Sequence, residues 1–169
     1  MKTCKNALLL GFFFVTLTGC MQSEEKVLNE IERKLKDEFL SNEIEETNAE
    51  LGSFKIYIPE QLEIENEGTN NYIFTDGSRP FVLFITEFEA PNSKWFFNRL
   101  QNEKHDDLHL RSFESADEFV YLAVEKYDEE DYELQIGIGG IKMTTLSEMD
   151  QLIDDVEMML EIVKSVEEK

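Results

Sequence analysis

The chemistry-bearing residues of this chain are few. Its only two histidines fall together in His105-Asp106-Asp107-Leu108-His109. If a helix continued through this segment, both imidazoles would lie one turn apart and could chelate zinc, copper or nickel, with Asp106 or Asp107 supplying an oxygen. The zincin spacing His-Glu-x-x-His is absent, because Asp follows His105, and no third ligand is identifiable. The competing reading is a polar loop between a helix and a strand. Asp128-Glu129-Glu130-Asp131 gathers four carboxylates without the interleaved ligands and turn glycine of a calcium loop, and reads as a solvated hairpin tip. Gly137-Ile138-Gly139-Gly140 is not followed by the helix start that a phosphate-binding turn needs, and reads as packing or a bulge. There is no Gly-x-Ser-x-Gly elbow. With 37 acidic residues in the chain, the abundance of carboxylates gives no support to a glycosidase-type pair. The expectation is a protein without catalytic residues. Its rival from another class is a divalent-metal binder using His105, His109 and Asp106.

Trp95-Phe96-Phe97 is a further cluster, consecutive on a segment with helical spacing. Three adjacent rings cannot all share one helix face. They are either enclosed together between layers of the fold or leave a ring exposed as an anchor for a partner.

At the N-terminus, Lys2 and Lys5 precede an apolar run over residues 7–17, and Leu17-Thr18-Gly19-Cys20 ends it. The run is shorter than the roughly 20 apolar residues needed to span a bilayer. Basic start, short apolar core and small residues are the parts of an export signal. This stretch resembles a bacterial lipoprotein signal peptide, whose lipobox has Leu, a small or apolar residue, Gly or Ala, and Cys. The resemblance implies cleavage before Cys20, a thioether-linked diacylglycerol on its sulfur and a possible acyl chain on the new amino terminus. Two or more chains anchor stably. It thereby implies residues 1–19 as signal peptide and an extracytoplasmic place on the bacterial cell membrane, with the covalent lipid in place of any cofactor. Met21 after the Cys, rather than Asp, lacks the inner-membrane retention signal of double-membraned bacteria.

Cys4 would leave with the signal, so the mature chain would hold no thiol for disulfides, zinc or nucleophilic attack. The mature charge would be 14 basic against 37 acidic residues, or −23. That balance repels nucleic acid and an anionic membrane surface alike, so the lipid would hold the protein in place against electrostatics.

The elements that must position these groups follow from periodicity. Residues 20–50 read as the lipidated Cys and an acidic helical tether, with Val27, Leu28, Ile31, Leu35 and Phe39 on one face. That stripe could dock on the domain, pair with another helix or lie on lipid; its acidic opposite face argues against lipid. Residues 51–169 read as one α+β domain. Alternation predicts strands over 54–58, 71–75, 81–88, 108–113, 118–127 and 132–139, a short crossover helix from Lys94 to about Lys104, and a turn at 76–80. Thr145-Leu146-Ser147-Glu148 has the spacing of a capping box ahead of a long closing helix bearing Leu152, Val156, Met159 and Val163. Gly137, Gly139 and Gly140 would let a helix approach the last strand. The expected architecture is an antiparallel sheet of five to six strands with a crossover helix and a long C-terminal helix. Phe54-Lys55-Ile56-Tyr57-Ile58-Pro59, the middle hairpin and the closing Ile162-Val163-Lys164-Ser165-Val166 make this domain loosely similar to the PsbP-like group. That group includes photosystem accessory lipoproteins, Mog-type Ran-binding proteins and DcrB-like lipoproteins. The similarity implies a sandwich fold and a non-enzymatic binding or accessory module for an envelope protein.

Overall fold

The computed structural model describes residues 23–41 and 43–169. Elements run in the order α1 (Glu24–Leu40), β1 (Ala49–Leu51), β2 (Phe54–Ile56), β3 (Glu63–Glu67), β4 (Asn71–Asp76), β5 (Arg79–Ile85), α2 (Trp95–Asn102), β6 (His109–Glu114), β7 (Phe119–Lys126), β8 (Asp131–Ile138), β9 (Ile141–Glu148), α3 (Leu152–Ser165) and β10 (Glu167–Glu168). The fold is α+β with antiparallel sheets. A seven-stranded sheet has the order β3-β4-β5-β9-β8-β7-β6, and a three-stranded sheet has the order β1-β2-β10.

These sizes correct the expected five to six strands, for identifiable reasons. β3 reads Glu-Ile-Glu-Asn-Glu and is exposed throughout, so it carries no buried alternation; pairing with β4 alone makes it a strand. Its charges also blunt the sheet edge against further pairing. Residues 145–148, which have the spacing of a capping box, are instead the end of β9. Thr145 Oγ1 donates to the Pro80 carbonyl at 2.8 Å, Ser147 Oγ donates to Asp155 at 2.6 Å, and α3 begins only after Gln151.

One face of the large sheet carries the main core. Phe81, Leu83, Leu134, Ile136, Leu122 and Met143 are all fully buried there beneath α3 and α1. On α3, Leu152, Val156, Met159 and Ile162 recur every three or four residues and are fully buried, so the helix exists because its stripe has a sheet to cover. Val27, Ile31 and Leu35 of α1 are buried too; at about 1.5–3 kcal/mol per side chain, this docking is a substantial part of the fold's stability. Lys34 pairs with Glu157 and Lys164 donates to the Glu38 carbonyl at 2.9 Å, so α1 and α3 lie side by side in the same direction. The apolar stripe of α1 is therefore engaged within the chain. The small sheet closes the same layer, with Ser165 Oγ accepting from the Tyr57 amide at 2.8 Å and Glu167 paired opposite Lys55.

The opposite face is covered only in part. α2 crosses it between β5 and the edge strand β6. The glycines permit this on the side away from α3. A Cβ on Gly137 would lie 2.3 Å from Tyr121 Cε1, and one on Gly139, where φ is +55°, would lie 2.4 Å from the Ala90 carbonyl oxygen. The close neighbours are thus a β7 ring and the segment leading into α2, rather than the terminal helix expected from the glycine run.

Candidate functional site

α2 is set in place by its approach. The Trp95 amide donates to Ser93 Oγ at 3.2 Å, Ser93 in turn donates to Glu89, and the Phe119 amide donates to the Pro91 carbonyl at 3.0 Å. Eight residues give barely two turns, so the three rings fan out. Phe96 is buried, edge-on to Phe84 with centroids 6.1 Å apart; Phe97 meets Phe119 edge-on at 5.1 Å. These contacts form a second small core with Tyr121. Trp95 alone turns outward and is 45% exposed. Seven residues earlier, in the turn after β5, Phe88 is 93% exposed.

Cations stack on this aromatic cluster. Lys142 Nζ lies 5.0 Å from the Phe96 ring centre, Lys94 Nζ 5.1 Å from that of Phe119, and the Arg99 guanidinium 5.7 Å from that of Trp95. Lys94 also pairs with Glu114 at 2.7 Å and Arg99 with Glu103 at 3.3 Å. Lys142 has no ion pair among the described residues. Burial, with Arg99 nearby, holds its ammonium below the ordinary lysine range. The result is an aromatic surface with cations at its rim on an otherwise acidic protein. Such an arrangement suits recognition of a partner's apolar and anionic groups.

The two histidines are not brought together. α2 ends at Asn102, so the helix needed for a one-turn spacing stops short of His105. His105 lies in the following loop, where Nδ1 is 2.7 Å from Glu125 Oε2 and Nε2 is 3.0 Å from the Leu100 carbonyl. Those contacts raise its pKa, chiefly through the Glu125 hydrogen bond. His109 stands in β6 opposite Val124, which places its ring on the α1 side of the sheet, whereas Glu125 projects to the α2 side. The sheet therefore separates the imidazoles, and the chelate suggested by the five-residue segment is not formed. Asp106 is exposed between them. Burial, followed by Arg111, lowers the His109 pKa, and its Nε2 is buried without a hydrogen-bond partner among the described residues. Among the described residues no group of three or more His, Cys, Asp or Glu side chains is placed to hold a metal ion.

Asp128 to Asp131 do form the β7–β8 hairpin tip. Asp128 Oδ1 accepts from the Glu130 and Asp131 amides at 2.9 Å each, which keeps its carboxyl below the ordinary range and uses it as turn chemistry. Cys20 and the rest of the lipobox-like segment Leu17–Cys20 lie outside the described residues. Sequence reasoning places Phe88 in a strand over 81–88, whereas β5 ends at Ile85, and it gives no role to Arg99 or Lys142. Phe88 had a signal, an isolated apolar residue between Glu87 and Glu89 just before Pro91; Lys142 had one too, the single charge within residues 134–147. Among the described residues no helix is long and apolar enough to cross a membrane. Compared with known proteins, the chain matches no family model and no curated protein.

Proposed function

We propose that this protein is a lipid-anchored lipoprotein on the extracytoplasmic face of a bacterial membrane. In this reading it is a non-enzymatic binding or accessory module that holds an envelope protein against the α2 surface. The observation that carries it is the pair of outward aromatics, Phe88 and Trp95; among the described residues most other large rings are enclosed, Tyr127 beside the β7–β8 hairpin tip being an exception. The exposed Trp95, with Arg99 over its ring, favours a protein partner over nucleic acid, which the overall charge repels. The lipobox at 17–20 supports the anchor at Cys20. For the finer fold, a PsbP-like sandwich is supported by the antiparallel sheet, the crossover helix and the long closing helix.

Two experiments test the parts separately. Cys20→Ala should move the protein from the membrane to the soluble fraction or leave it as precursor; unchanged lipid labelling would overturn the anchor. Photo-crosslinking probes at Phe88 and Trp95, in intact membranes, should give one recurrent protein adduct that a probe at exposed Glu65 on β3 does not. Identical adduct patterns at all three positions would overturn the α2 surface.

A further inference from the structure

A second surface lies at the other end of the sheet, independent of the one above. The N-terminal turn of α1, the β7–β8 hairpin tip and the β9–α3 connection enclose an open groove of about 1030 Å³. Its floor is apolar, built from Val27, Tyr132, Met149 and Ile153. Its walls carry Glu24, Glu129, Glu130, Glu148, Asp150 and Asp154.

These six differ from many other acids of the chain. Carboxylates such as Glu32, Glu38, Glu114, Glu125, Asp155 and Glu157 sit in ion pairs, but none of the six does so among the described residues. Among the described residues no Lys, Arg or His lines the groove. The nearby Lys126 is turned onto the Tyr132 ring, 5.9 Å from its centre. The six charges belong to three separate chain segments, so the fold, rather than one acidic run, assembles them. Glu24 and Asp154 lie in the first turns of α1 and α3, where the helix N-termini favour negative charge, and the other four carboxylates have no ion-pair partner among the described residues.

We infer that this groove docks a basic amphipathic segment of a partner polypeptide, with lysine or arginine side chains on the six carboxylates and apolar side chains on the floor. The volume matches or exceeds ligand clefts of about 300–1,000 Å³, so it is far larger than an inorganic cation requires. An apolar floor adds nothing for a cation alone and much for a helix with an apolar face. Charge complementarity selects the partner: an acidic segment, or the acidic face of a second copy, would be repelled.

The test uses the full-length chain and two labelled synthetic helical peptides, one alternating lysine and leucine faces and one with every leucine replaced by serine. Fluorescence anisotropy should show the lysine–leucine peptide binding and weakening about tenfold as salt rises from 0.05 to 0.3 M, because the Debye length shrinks over that range. Glu130→Lys with Asp154→Lys should weaken binding about tenfold or more, whereas Glu45→Lys with Glu46→Lys, an equal charge change elsewhere, should not. All four positions are exposed, so the fold should tolerate the changes. Equal loss in both double variants, or equal affinity for the lysine–serine peptide, would reduce the effect to general polyanion attraction and overturn the inference. So would absence of binding, or crosslinks placing residues 1–22 of the same chain in the groove.

Discussion

Arg79 ties the β4–β5 hairpin to the start of α3, and its removal should be among the most damaging polar substitutions in the chain. Its guanidinium donates to Asp155 Oδ2 at 2.5 Å and Oδ1 at 3.0 Å, and to Gln151 Oε1 at 2.9 Å. The Asp155 side chain is only 4% exposed, and apart from Arg79 its side-chain partner is Ser147 Oγ at 2.6 Å. Arg79→Met keeps an aliphatic stem over Phe81, whose ring centre lies 4.8 Å from the guanidinium, but leaves a buried carboxylate without its cation. Breaking one side of such a pair costs about 3–5 kcal/mol. At roughly 2–4 °C per kcal/mol for a chain of this size, Tm should fall by about 10 °C. Urea unfolding followed by far-ultraviolet circular dichroism would measure the loss. Replacing both partners, Arg79→Met with Asp155→Leu, should recover most of it, because a buried pair exchanged for apolar side chains is often neutral. The coupling between the sites should then exceed about 2 kcal/mol. The exposed Arg33–Asp37 pair is the contrast, and solvent screening should leave its coupling far weaker. A loss under about 1 kcal/mol for Arg79→Met alone, or simple additivity in the cycle, would refute the claim that Asp155 depends on this guanidinium.

The two histidines should show pKa values displaced in opposite directions. The His105 pKa is raised by Glu125, so its contribution is complete below the unfolded value of about 6.5 and fades as pH rises through the folded value; wild type should lose its advantage over His105→Gln across that window. The His109 pKa is lowered by burial, so stability falls as pH drops below about 6.5 toward the folded value, and His109→Gln should remove that fall; NMR titration of both rings checks the order. Gly137→Ala should cost about 1–3 kcal/mol by overpacking against Tyr121, which is held by Phe97 and by its hydroxyl donating to Gln135 at 2.8 Å; no change in the urea midpoint would show that this ring has room to move. Calorimetric titration with zinc and with copper at micromolar protein should release no heat attributable to His105 and His109 acting together. Binding lost equally in either His→Gln variant would contradict their placement on opposite faces.

Local pattern makes much of the fold legible in the sequence. The three- and four-residue recurrence of Val27, Ile31 and Leu35, and of Leu152, Val156 and Met159, marks both long helices, because a helical stripe is written in neighbouring residues. Within the strand expected over 118–127, Phe119 to Val124 are apolar on both faces, and α1 and α2 supply the cover that this pattern requires. The acidic hairpin tip at 128–131 was legible for the same local reason. β3 was not, since an exposed edge strand owes its existence to a partner rather than to its own composition. Residues 145–148 misled, because a capping-box spacing and a polar strand end share the same residue types; their pairing with β5 and β8 decided between them.

Sites divide along the same line. Sequence alone determined that the chain is acidic, that Trp95, Phe96 and Phe97 cannot all lie on one helix face, and that Leu17 to Cys20 resembles a lipobox. Only tertiary structure decided that Trp95 is the ring left outside, that Phe88 joins it, and that Lys142 is held over Phe96. Only tertiary structure put a sheet between His105 and His109, residues four apart in the chain. It also gathered Glu24, Glu130 and Asp154 around one groove from segments more than twenty residues apart. The reason is geometric: a chemical group needs partners in three dimensions, and sequence separation bounds their distance from above without saying which way a side chain will face.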